Sequence, residues 1–244
     1  MTLMALTSIK HAPGVTTAAL AMATAWSADH EVVVVEADPA GGDLAARLGL
    51  PFEPGLVSLA AAARHGAASG AVGHAQLQAM PCGGSVLVGP GSAEQAVAAL
   101  RELRAGALAG LAGRGDLVVV DCGRWSPGSP TQPLISAADL VLVVTRPTVE
   151  GVVHLRSRMA ALRREAGDRV AILLVGERPY RAADIDEAVG LRVAGVLADD
   201  PRAATALYQS PRPGLARRFL LVRSARSFLE RAIPLLLPES QVSA

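Results

Sequence analysis

Seven short runs dense in valine and leucine punctuate the chain, at residues 3–9, 31–36, 85–89, 117–121, 140–145, 170–175 and 193–197. None alternates apolar with polar residues, so both faces of each extended segment must be covered, as in a parallel sheet wrapped by helices. Between the runs lie Ala- and Leu-rich stretches of helical length, notably 16–28, 92–111 and 150–166. This β-α-β-α order predicts an α/β fold: a doubly wound, mainly parallel sheet with helices on both faces. Hydrophobic residues make up 51% of the chain but aromatics only 3%. The core must therefore be built of Ala, Val and Leu, which suits helices packed closely on a sheet. At 244 residues the chain can bury a full core, and we expect one domain over residues 1–237 with a frayed tail at 238–244.

Charge narrows the classes of function. Lys+Arg 23 against Asp+Glu 22 leaves a net charge of +1, which argues against a general electrostatic grip on nucleic acid. Arg217, Arg218, Arg223, Arg226 and Arg231 gather near the C-terminus. They read either as a solvated helix face or as a local docking surface for an acidic partner, DNA or lipid headgroups. Cys82 and Cys122 have no His/Cys cluster beside them, so neither a disulfide framework nor a zinc site is expected, and a reducing cytoplasm fits. The N-terminus lacks the order of a secretory signal. Residues 12–28 are uncharged but short, and contain Pro13, Gly14 and several hydroxyls; they read as a buried helix after a loop, not a membrane span. Residues 60–84 are expected to hold a helix and a connector. Residues 126–133, with three prolines after a strand, form a candidate switch loop. The last helix, near 224–237, is interrupted by Pro234 and is expected to pack on the body rather than enter a membrane.

Ligands of doubly wound sheets bind beyond the carboxyl ends of the strands. After the first run comes Ser8-Ile9-Lys10-His11-Ala12-Pro13-Gly14-Val15-Thr16-Thr17. In a phosphate-binding loop, glycine-permitted turns aim backbone N–H groups at the phosphates, a lysine grips the β/γ oxygens and the following hydroxyl holds Mg²⁺. Gly14 and Thr16 stand in place, but Val15 occupies the lysine position. The segment resembles the deviant Walker A loop of the MinD/ParA family of P-loop ATPases, the SIMIBI class, whose pattern is Lys-Gly-Gly-x-Gly-Lys-Thr-Thr. Lys10, Gly14, Thr16 and Thr17 match it; His11 and Ala12 replace two glycines. Losing a charge-assisted contact such as the lysine's costs roughly 1.5–3 kcal/mol.

Two further strand ends carry the resemblance. Glu36-Ala37-Asp38-Pro39-Ala40-Gly41 is similar to the family's Asp-x-Asp-Pro-x-Gly segment, with Asp38 in place and Glu36 substituting for the first aspartate; alternatively, Gly42 or Asp43 simply caps a helix starting at Leu44. Asp121-Cys122-Gly123 resembles a Walker B strand end. Residues 138–147 look like the next family strand. Where the family carries an adenine-reading Asn, this chain has Gly176-Glu177-Arg178, and its Ile-Pro-x-Asp segment appears as Leu197-Ala198-Asp199-Asp200-Pro201. Residues 86–91 with Glu94-Gln95-Ala96 are similar to pilus-assembly relatives of the TadZ/CpaE kind.

The resemblance implies ATP and Mg²⁺ as cofactors, held weakly or not at all. Lys10, Gly14, Val15, Thr16 and Thr17 would form the nucleotide loop, with Thr16, Asp38 and Asp121 as Mg²⁺ ligands. Lys10 and Asp38 would be the catalytic positions, Lys10 reaching the partner's nucleotide. It further implies a cytoplasmic positioning or assembly protein, a homodimer that recruits a protein partner and is itself recruited to a pole or membrane, with hydrolysis slow or absent. Two alternatives stand beside this: an active Mg²⁺-ATPase using Lys10 in place of the missing lysine, and a nucleotide-free interaction scaffold. His11 is given no role. Trp125 either anchors a partner helix or packs over the sheet edge. No nucleophile elbow or Ser/His/Asp arrangement supports acyl-transfer chemistry.

Overall fold

Each of the seven apolar runs forms a strand, joined by helices that cover both faces. The structure, a computed structural model, describes residues 2–26, 32–66, 70–103, 105–108, 110–111, 116–209 and 213–236; the tail expected at 238–244 lies outside them. In chain order the elements are β1 (Thr2–Ser8), α1 (Val15–Ala25), β2 (Val32–Glu36), α2 (Leu44–Leu48), α3 (Leu56–Arg64), α4 (Ala71–His74), β3 (Gln78–Ala79), β4 (Ser85–Leu87), α5 (Ala93–Glu102), α6 (Ala105–Leu108), β5 (Leu117–Arg124), α7 (Gln132–Ala137), β6 (Leu140–Thr145), α8 (Val149–Ala166), β7 (Val170–Val175), α9 (Ala182–Val189), β8 (Val193–Leu197), α10 (Pro201–Tyr208), α11 (Pro213–Ala216) and α12 (Leu220–Leu236).

The strands make one sheet in the order β3-β4-β2-β5-β1-β6-β7-β8. Every pairing is parallel except the edge pair β3/β4. Because side chains alternate along a strand, the valine runs split between two cores. Val34, Val119 and Leu142 face α1, α2, α10 and α12. Val35, Val118, Val120 and Val143 face α3, α5, α7 and α8. The order reverses around β1, and the loops leaving the adjacent strands β1, β5 and β2 therefore meet at the carboxyl end of the sheet.

Of the stretch 12–28, residues 12–26 form a loop followed by α1, whose face-to-face burial between the sheet and α12 explains its lack of charge, while 27 and 28 lie outside the described residues. Its C-terminal carbonyls are capped from a distance: Arg217 donates to the Thr24 and Trp26 oxygens (3.4 and 3.5 Å) and Arg226 to that of Ala25 (3.1 Å). A guanidinium there satisfies orphan carbonyls and the negative end of the helix dipole. Two of the five C-terminal arginines are thus tied to the fold. The stretch 92–111 is two helices, not one, because Leu103 turns extended and buries its side chain. β3 is an antiparallel edge strand that the sequence reading did not anticipate. α12 runs through Pro234 to Leu236 and packs Leu221, Ala225, Phe228 and Leu229 inward. Among the described residues, no helix is long and apolar enough to cross a membrane.

Candidate functional site

The loop between β1 and α1 turns through two left-handed residues, His11 (φ 64) and Gly14 (φ 103). Gly14 is the N-cap of α1, and its carbonyl accepts from the Ala18 N–H at 2.8 Å. The first turn of α1 consequently offers unpaired N–H groups and the positive end of the helix dipole toward the mouth of the loop. Val15 opens the helix and is 7% exposed, part of the core on the α1 side. It brings no charge to this mouth.

Two acidic residues from neighbouring strand ends converge here. Asp121 is 1% exposed. Its Oδ1 accepts from the Gly123 N–H at 3.0 Å, while Oδ2 is buried without a hydrogen-bond partner. Burial pushes its carboxyl up to about 6, against the lowering influence of the Thr16 hydroxyl, which is near but outside hydrogen-bonding geometry, and of the Gly123 N–H; the nearby Asp38 charge raises it further. The Asp38 carboxylate lies directly over Gly123, where any Cβ would collide with it, and Gly123 has φ +58. Asp38 Oδ1 also accepts from the Ala40 N–H at 2.8 Å. Thr16, Asp38 and Asp121 are therefore brought together beneath the start of α1.

Glu36, the register partner of Asp121, feels that aspartate's charge but directs its oxygens to backbone N–H groups. Its Oε1 accepts from the N–H groups of Asp43 and Leu44 (2.7 and 2.9 Å), and its Oε2 from that of Gly89 (2.9 Å). The carboxylate thus caps α2 and pins the segment after β4; no side chain of α2's own N-cap does so. Gly42 and Gly89 crowd it so closely that a Cβ at Gly42 would strike Oε2. Burial raises Glu36 to about 7 despite the three N–H donors.

A cleft of about 680 Å³ opens over this cluster, lined by Gly14, Val15, Thr16, Thr17, Asp38 and Arg124 among others. On the far side of the loop a second cleft, about 320 Å³, runs toward Asp199 and Asp200 and shares Gly14 and Thr17 with the first. Lys10 lines neither; it is exposed and borders a smaller recess with His11, Thr148 and His154 at the start of α8. The Thr17 hydroxyl lies 3.1 Å from the Tyr208 hydroxyl, and the Arg47 guanidinium stacks 4.6 Å over the Tyr208 ring. Asp199 is held by Arg146 in a bidentate pair (2.6 and 3.1 Å), and Asp200 caps α10 through the Ala203 N–H (3.0 Å).

Sequence reasoning missed Arg47, Arg124, Arg146 and Tyr208. Arg124 carried a signal, since it directly follows Asp121-Cys122-Gly123; Tyr208 carried none, being brought in by α10 from far along the chain. Trp125 is 2% exposed and donates through Nε1 to Glu165 Oε2 at 2.9 Å. It belongs to the core under α8, so of its two readings packing is the one observed.

The donor set fits Mg²⁺: hard oxygens only, with an orphaned buried carboxylate oxygen on Asp121, near the hydroxyl of Thr16 in the first turn of α1. Among the described residues no three His, Cys, Asp or Glu side chains cluster to hold a metal by themselves. Mg²⁺ characteristically takes one or two carboxylates and completes its shell with water and substrate phosphates.

No sequence-family profile matches the chain, and no curated relative matches it. Solved structures do. The fold is that of the MinD/ParA-type P-loop ATPases. It aligns with a ParA family ATPase from Chlorobium tepidum at TM-score 0.74 and 17% identity, covering 93% of this chain and 96% of that one. It aligns with the septum site-determining protein MinD in complex with Mg-ADP from Pyrococcus horikoshii at TM-score 0.73 and 16% identity, covering 96% of each. Cobyrinic acid a,c-diamide synthase from Mycobacterium smegmatis, with bound ATP analog and magnesium, aligns at TM-score 0.65 and 22% identity, over 96% of this chain and 94% of that one.

Proposed function

We propose that this chain is a nucleotide-responsive switch of the MinD/ParA type, one domain over residues 1–237, that binds Mg²⁺-ATP weakly and hydrolyses it slowly or not at all. It acts by pairing with a second copy and recruiting a protein partner in the cytoplasm, which carries it to a pole or membrane. The observation that carries the reading is the buried Asp121 Oδ2 without a partner, near Thr16 and Asp38, which themselves line the cleft. An unpaired buried carboxylate oxygen is costly and recurs where a ligand completes it. Thr16, Asp38 and Asp121 would hold Mg²⁺, whose role when bound is to neutralise phosphate charge. Gly14 and the first N–H groups of α1 would receive phosphate oxygens, and Thr17 would border both clefts. Weak binding follows from Val15, which leaves the phosphates one cation short by roughly 1.5–3 kcal/mol. Lys10, exposed outside the cleft of its own chain, is proposed to act on the nucleotide of the second copy.

The retained oxygen cluster favours one rival, a working Mg²⁺-ATPase. Isothermal titration of the purified protein with ATP and ADP, with and without Mg²⁺, alongside light scattering, separates the readings. Saturable Mg²⁺-dependent binding that doubles the scattering mass supports the switch, and product release in the same samples would promote the ATPase. Absence of binding at millimolar nucleotide refutes both and leaves a scaffold.

A further inference from the structure

We infer that Arg124 supplies the phosphate-binding cation that Val15 removed. The inference rests on reading the cleft over Thr16 and Asp121 as a nucleotide site.

The argument begins with side-chain parity along β5. Val118, Val120 and Cys122 face the core under α8, and Val119 faces α1. Strict alternation would send Arg124 toward α8 with Cys122, and Trp125 toward the phosphate loop. The reverse is observed: Trp125 lies in the α8-side core and Arg124 lines the cleft. Gly123 makes the inversion. It takes φ +58, and the β1/β5 register shifts at this point, Leu6 pairing with Asp121 but Ser8 with Arg124. One residue out of step exchanges the faces of everything that follows.

The guanidinium so delivered is available. Its Nη2 donates to the carbonyl oxygen of His11 at 3.4 Å, a long, neutral contact on the phosphate loop itself, and no ion pair engages it among the described residues. Arg47, the other arginine of this cleft, is by contrast paired with Asp43 at 3.1 Å and stacked on Tyr208. A planar guanidinium offers a bidentate fork to phosphate oxygens and stays charged throughout the accessible pH range. Resting on the His11 carbonyl, Arg124 lines the same cleft as Thr16 and Asp38. Phosphates bound in that cleft would meet its cation as well as the Mg²⁺.

The test is titration of Mg²⁺-ATP and AMP into the wild type and into Arg124→Gln, Arg124→Lys and Val15→Lys/Arg124→Gln variants of the full chain. The expected result is a roughly 10- to 100-fold weaker Mg²⁺-ATP affinity in Arg124→Gln, most of it retained in Arg124→Lys, and restoration by the lysine of the double variant. AMP affinity should change little, because the contact is to the outer phosphates. If the wild type binds Mg²⁺-ATP and Arg124→Gln binds it equally well, the inference is wrong and the nucleotide reading survives. Equal losses for AMP and ATP would also overturn it, indicating general damage to the cleft. A wild type that binds no nucleotide removes the reading and the inference together.

Discussion

Replacing Glu36 with Gln tests whether burial outweighs three backbone hydrogen bonds. The folded carboxyl sits at about 7 against an ordinary 4.5. A raised pKa means that the folded state takes up a proton the unfolded chain has released. The stabilising contribution is therefore complete below about 4.5 and is lost as pH rises through about 7, at about 1.4 kcal/mol per unit and roughly 3 kcal/mol in all. Glutamine keeps the volume and cannot titrate. It has one acceptor oxygen, which can serve the Asp43 and Leu44 N–H groups or the Gly89 N–H, but not both sets. Below about 7 the folded wild type is itself a neutral acid, with one carbonyl oxygen and one O–H, and shares that shortage. Urea unfolding at pH 5, 6, 7 and 8 should therefore find the gap, wild type minus Glu36→Gln, small at pH 5 and falling by roughly 2.5 kcal/mol by pH 8, so that the variant becomes the more stable. A gap independent of pH, or one that rises with pH, would refute the reasoning, because it would mean that the N–H donors keep Glu36 ionised at ordinary values.

Three other changes probe the site and its supports. Asp121→Asn removes a carboxylate that is costly to ionise, so at pH 7.5 the ligand-free melting temperature should rise while the Mg²⁺-ATP-induced increase disappears; a retained ligand shift would exclude Asp121 as a metal ligand. Gly123→Ala places a Cβ against the Asp38 carboxylate at φ +58 and should lower stability by about 1 kcal/mol or more, abolishing the nucleotide-dependent shift as well. Asp200→Ala, which uncaps α10, should cost about 1 kcal/mol, seen as a drop of about 2–4 °C in melting temperature.

The local pattern carried much of the fold. Apolar runs of five to seven residues, rich in valine and without alternation, read as strands covered on both sides, and their order with the helices prescribes a doubly wound sheet. That sheet in turn gathers the ends of β1, β2 and β5, which is why Thr16, Asp38 and Asp121, legible as separate motifs, meet in space. The sequence also showed the deficit at Val15, since the loss of a cation at the head of a helix is a fact of composition at one position.

What lay beyond the sequence depended on which groups the packed chain sets beside one another. Glu36 and Asp38 are two residues apart and chemically alike, yet one is surrounded by backbone N–H groups from α2 and the β4 exit while the other rests over Gly123. Nothing local separates them, because the donors come from distant segments. Arg217 and Arg226 read as surface charge until α12 lies against α1 and aims them at its last carbonyls. Trp125 and Arg124 exchange faces through a single left-handed glycine, whose φ is permitted by its lack of a Cβ but selected by the fit of Asp38 above it and the shifted β1/β5 ladder beside it. Periodicity thus determines which elements form and which ends converge. The direction in which an individual polar side chain points is decided by three-dimensional packing, because its energy depends on partners that are remote in the chain.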